Sequence, residues 1–167
     1  MTNIERRLTD QLKDYMLGVE CWSEGLRQIL ELVAERASIK IIVDIWNVDT
    51  MIWDLFEGKH MFYGNDPDGK GYSTRAHFAE VIGFLGTPPL DMLQRRKRSN
   101  EFFTDDGQWK QDIEIPNQSL ESSERFLEGR NKEIFLAFIR GMLQWKPEDR
   151  KTARELLEDP WLNDRLE

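Results

Sequence analysis

Val43–His60 reads VDIWNVDTMIWDLFEGKH, and the rest of the chain is best read outward from it. Its apolar residues, among them Ile45, Trp46, Val48, Met51, Ile52, Trp53, Leu55 and Phe56, fall on nearly every side of a helix. A helix of that kind belongs in a core with neighbours all round, whereas a surface helix carries one apolar stripe. Asp44, Asp49 and Asp54 interrupt the run. A carboxylate taken out of water is costly unless it is bonded, so Asp49, in the middle of the helix, is expected to be solvated or hydrogen-bonded.

Two further helices follow downstream. Ala76–Gly86, AHFAEVIGFLG, places Phe78, Val81, Ile82 and Leu85 at helical spacing and stops at Gly86, with Pro88 and Pro89 behind it. Ile134–Leu143 is a second apolar helix, and Leu143–Arg150, LQWKPEDR, makes a turn after it. Thr152 and Glu155 form a capping box ahead of Leu156 and Leu157, and Pro160-Trp161-Leu162 closes the block. Upstream, Ile4, Leu8, Leu12, Tyr15, Met16 and Val19 share one helical face. Trp22, Leu26, Ile29, Leu30 and Val33 share another, with a break between Gly18 and Gly25. The chain therefore reads as mainly α, with two amphipathic helices in residues 1–42, a helical block in 43–162 and a short tail in 163–167.

Composition bounds the function. With 167 residues, 40% of them hydrophobic, six Trp and nine Phe, the chain can bury one real core. No run approaches the ~18–20 apolar residues that cross a bilayer, and charges interrupt the N-terminal segment too often for a secretory signal. Cys21 is the only cysteine, which excludes an internal disulfide and fits a reducing compartment, cytoplasmic or nuclear. A net charge of −8 argues against nucleic-acid binding and leaves basic partners open.

Several local signals carry less. Gly64-Asn-Asp-Pro-Asp-Gly69-Lys70 imitates a phosphate-binding loop, but Gly71 replaces the Ser/Thr and two acids would repel phosphate. The same stretch imitates a calcium loop from Asp66, with Lys70 at an oxygen-ligand position and His77 where the bidentate Glu belongs. A turn between helices is the better reading of both. Arg95-Arg-Lys-Arg98 reads as a nuclear-import cluster or as a solvated loop. His60 and His77 have no ligand-spaced neighbour, so no metal is expected.

In order, Asp44-x-Trp46, the helix stopping at Gly86, the Pro147-x-x-Arg150 turn and the Pro160-Trp161-Leu162 close resemble the large lobe of a eukaryotic serine/threonine protein kinase over about 120 residues, Val43–Leu162, whereas residues 1–42 resemble no part of a kinase. The phrases IWDLFEG at 52–58, LGTPP at 85–89 and SNEFF at 99–103 resemble the branch that phosphorylates Arg/Ser-rich splicing factors, together with its cyclin-dependent and dual-specificity relatives. The resemblance makes Asp44, Trp46 and Arg150 family structural positions and puts Asp49 where the family has Gly. It also implies that Asp44 and Arg150 have lost their usual partners near the catalytic loop and in the Ala-Pro-Glu motif.

Kinases need a glycine-rich loop, an ATP-directed Lys, a His-Arg-Asp and an Asp-Phe-Gly. None occurs in this sequence. No catalytic, cofactor-binding or metal residue is therefore assigned; ATP and Mg would enter only with the rest of a kinase domain. The resemblance implies a catalytically inert, pseudokinase-like module that docks basic, Arg/Ser-rich segments on Asp66, Asp68 and Glu80. The alternative it implies is the C-terminal part of an active serine/threonine kinase. The oligomeric state is not legible.

Overall fold

The computed structural model describes residues 26–28, 30, 31, 34 and 41–164. Among them the helices run α1 (Ile41–Glu57), α2 (Thr74–Leu85), α3 (Leu90–Gln94), α4 (Leu120–Ser123), α5 (Gly129–Met142), α6 (Ala153–Leu157) and α7 (Pro160–Asn163). Single 3-10 turns lie at Ser99–Glu101 and Pro147–Asp149. The described residues form no strand, only isolated bridges pairing Asn65 with Tyr72 and Phe103 with Trp109. The fold is mainly helical, as the periodicity predicts.

The helix that opens the argument is the centre of the core. Ile45, Val48, Ile52 and Trp53 of α1 are buried together with Phe135, Leu136, Phe138, Ile139 and Met142 of α5, and with Leu156, Trp161 and Leu162 beyond it. Aromatic rings lock the crossing: Phe56 and Phe135 lie 4.5 Å apart by centroid, and Phe135 and Trp161 4.8 Å. Each such side chain contributes about 1.5–3 kcal/mol by leaving water. The expectation of burial on every side needs one correction. Asn47, Met51 and Leu55, one helical turn apart in succession, form a stripe that stays exposed.

Capping sets the shorter elements. Ser73 accepts from the Ala76 N–H at the start of α2, and Gly86 ends it in the left-handed region at φ 73°, a conformation open to glycine at little cost. The Trp145 indole N–H donates to the Gly86 carbonyl at 3.0 Å and so ties the end of α2 to the segment after α5. In the last turn of α2, Gly83 lies so close to the 113–118 segment that a Cβ there would meet the Pro116 carbonyl oxygen at 2.8 Å. Thr152 and Glu155 make the expected capping box of α6. Asp159 caps α7 through the Trp161 N–H and holds Lys151 at 2.6 Å.

Of the two helices expected in residues 1–42, the first lies outside the described residues. The described positions of the second, 26–28, 30, 31 and 34, are helical. Leu26 and Leu30 join the core described above, and Arg27 donates to the Leu162 carbonyl at 3.2 Å and to Asn163 Oδ1 at 3.0 Å. Residues 165–167 of the tail lie outside the described residues. No described helix is long and apolar enough to cross a membrane.

Candidate functional site

Of the three carboxylates assigned to docking, Asp66 and Asp68 lie in the turn before α2 and Glu80 in the middle of that helix. Residues 64–73 fold back on themselves: the Asp66 N–H donates to the Gly71 carbonyl at 2.8 Å, and the Ser73 N–H to the Gly64 carbonyl at 2.9 Å. Inside this turn Asp66 is almost wholly buried. Arg75 grips it bidentately, Nε at 2.6 Å and a terminal nitrogen at 2.7 Å, while the Ser73 hydroxyl donates at 2.6 Å and the Asp68 N–H at 3.1 Å. The Arg75 hydrogen bonds, followed by that of Ser73, hold the Asp66 carboxyl well below the usual carboxylate range.

Glu80 is also used from within. Its Oε2 accepts from the Tyr63 and Gly64 N–H groups, each at 2.8 Å, so it pins the chain before the turn to the middle of α2. Asp68 is the most open of the three: its side chain is 34% exposed and meets Lys70 Nζ at 3.1 Å. The structure places Asp66 and Asp68 in the turn before α2 and Glu80 in the middle of that helix, and it commits Asp66 entirely and Glu80 in part. The turn is therefore built around an internal ion pair, where the sequence suggested a merely solvated loop.

Two of the family positions, Trp46 and Arg150, meet at α1. The Arg150 guanidinium lies over the Trp46 ring at 4.8 Å from its centroid, and its Nε donates to the Gln144 carbonyl at 2.9 Å. Burial lowers the Arg150 pKa, against the opposing fields of Asp49 and Glu148. The Asp44 side chain lies outside the described residues. Asp49 departs from expectation: it is 0% exposed, and among the described residues neither carboxylate oxygen has a hydrogen-bond partner. Burial raises its pKa well above the usual carboxylate value, with the charge of Arg150 opposing. The cause is position, because Asp49 sits between Val48 and Ile52 on the face that packs into the core, where no water reaches it.

No protein-family model matches the chain. Relatives do. A serine/threonine protein kinase of Aspergillus fumigatus is 50% identical over 120 residues, covering 72% of this chain and 30% of the relative. The chain is a homologue of the serine/threonine protein kinases. SRSF protein kinase 3 of Mus musculus is 31% identical over 88% of this chain and 28% of its own length. Serine/threonine-protein kinase SKY1 of Saccharomyces cerevisiae is 29% identical over 93% of this chain and 22% of its own. The chain thus spans less than a third of the length of these curated kinases. The likeness to the mouse kinase takes in more than residues 43–167 hold, so it reaches upstream of Val43.

Within this kinase homologue, sequence reasoning missed residues whose importance depends on distant partners. Arg75 is one, and its only local signal is a basic residue nine positions after Asp66. Glu57 is another: it is 2% exposed at the end of α1 and is bound by the Arg125 N–H and side chain, each at 3.3 Å. Nothing near Glu57 in sequence announces that pair.

Proposed function

We propose that this chain is a large-lobe module of a serine/threonine kinase that transfers no phosphate by itself and docks basic, Arg/Ser-rich segments through the acids of α2 and the turn before it. The observation that supports docking is the exposure of Asp68 in the turn before α2, where Lys70 holds it at 3.1 Å and Arg75 only at 4.0 Å, together with the half-buried Glu80 in the middle of that helix. A relative named an SRSF protein kinase gives the reading its substrate class. Inertness rests on the chemistry of phosphoryl transfer, which needs metal-held phosphates and a base positioned against the attacking hydroxyl. The residues assigned here supply neither, and ATP and Mg have no site among them.

Carboxylates grip guanidinium groups bidentately, with a strength that falls as salt screens them. The test is titration of a labelled Arg/Ser-repeat peptide onto the chain at low and high salt, with and without Mg-ATP, while scoring phosphate transfer. Binding should be salt-sensitive, indifferent to Mg-ATP and weakened by Asp68→Asn with Glu80→Gln. The Gln can still accept from the Tyr63 and Gly64 N–H groups, so the fold survives. Unchanged binding by that variant sinks the docking reading, and transferred phosphate sinks inertness.

A second reading, favoured by the chain's covering less than a third of its relatives, places it as the C-terminal part of an active kinase. Sequencing the transcript upstream of Met1 decides it: an in-frame glycine-rich loop and His-Arg-Asp would support an enzyme, and a stop codon there would exclude it.

A further inference from the structure

The geometry points to a second docking surface of opposite sign, a groove beside α2 and α3 that takes an acidic peptide with an apolar anchor. The groove is about 350 Å³ and is floored by Phe78, Met92, Phe102, Phe103 and Trp145, a size at the lower end of ligand-binding clefts. A smaller depression, lined by Leu90, Lys97 and Asp105, adjoins it, and Leu93, Arg96 and Ser99 line both. Together they make a track longer than one side chain needs, which suits an extended segment better than a compact small molecule.

The rim chooses the partner. Arg95 is held by Asp91 at 2.9 Å, and Arg98 is held bidentately by Glu101 at 2.7 and 2.8 Å. Arg96 and Lys97, both exposed, have no ion pair among the described residues. Arg96 thus stands at the apolar floor and Lys97 beside it in the adjoining depression, which Asp105 also lines, in a chain whose net charge is −8. Local charge opposite to the overall charge selects and orients a partner more than it adds affinity. The basic cluster at 95–98 is thereby given a place: Arg95 and Arg98 hold acids of their own loop, while Arg96 faces the groove and Lys97 the depression that extends it. The inference is independent of basic-segment docking, which uses other residues.

The test is fluorescence polarisation of a labelled Glu-Glu-Leu-Phe-Asp-Glu peptide with the 167-residue chain. Arg96→Glu with Lys97→Glu, both exposed positions, should raise Kd roughly tenfold. Met92→Glu, on the floor, should abolish binding, and affinity should fall as salt rises. Equal binding of a peptide with Lys in place of each acid overturns the proposal, as does unchanged affinity in the charge-reversed variant. So does a dimer in sedimentation that the charge reversal dissociates, because the occupant would then be a second copy of the chain.

Discussion

Asp49 and Asp66 are both buried aspartates, one in the central helix and one in the turn before α2, and the protein treats them in opposite ways. Asp66 receives two bonds from Arg75, one from Ser73 and one from a backbone N–H, and its pKa is pushed down. Asp49 receives no hydrogen bond among the described residues, feels Arg150 only through its field, and its pKa is pushed up. Burial is common to both, so burial alone does not decide the outcome. Donors within reach decide it, and a glycine-rich turn can bring them in where a straight helix packed against apolar neighbours cannot.

The largest test of this contrast removes the charge of Arg150, which opposes the burial of Asp49. Arg150→Leu should cost about 3 kcal/mol in urea unfolding, because it strips a cation from the Trp46 ring and removes the field that opposes the buried carboxyl. The double variant with Asp49→Ala should recover part of that loss; strict additivity of the two changes would show that the groups do not interact. Asp49→Ala alone should stabilise the fold by about 2 kcal/mol at neutral pH, since it removes an unsatisfied buried group from a helix that favours Ala.

The pH dependence sharpens the comparison. A carboxyl whose folded pKa is raised binds its proton more tightly in the folded state, so its contribution is full below the unfolded value of about 3.9 and is lost as pH rises above it. Asp49 should therefore make the protein less stable on going from pH 4 upward, and Asp49→Ala should flatten that slope. Asp66 runs the other way, contributing stability above about 3.9 that is lost as pH falls toward its lowered pKa. Denaturant midpoints measured across the acid range should show the Asp66 limb steepest at the acid end. Arg75→Ala would turn Asp66 toward the state of Asp49 and lower the melting temperature by several degrees. The effect should be smaller than that of Arg150→Leu, since Ser73 and the Asp68 N–H remain. The smallest effect is expected at a site of neither kind: Thr152→Ala should cost about 1 kcal/mol by opening the α6 capping box.

What could be read from the residues was local. The two long helices, the stop at Gly86, the capping box at Thr152 and Glu155 and the closing Pro160-Trp161-Leu162 all depend on neighbours within a turn or two, and all stand in the structure. The pairs that give the candidate sites their character join distant positions: Trp46 with Arg150, Glu57 with Arg125, and Phe78 with Phe102 in the groove. Periodicity carries no information about such partners. Asp49 shows the limit most clearly, for a carboxylate in an apolar helix was expected to find water or a donor, and the packing of α1 against the core supplied neither.

Gly83 gives the fold an unexpected kind of rigidity. With the Pro116 carbonyl in the space a Cβ would fill, even the smallest side chain must push the 113–118 segment off α2. That segment leads into α4, whose Leu120 is in the core. In a library of every single substitution, position 83 should therefore stand out as one intolerant of all replacements, although it is a half-buried glycine in a helix, bears no charge and takes no part in either docking surface.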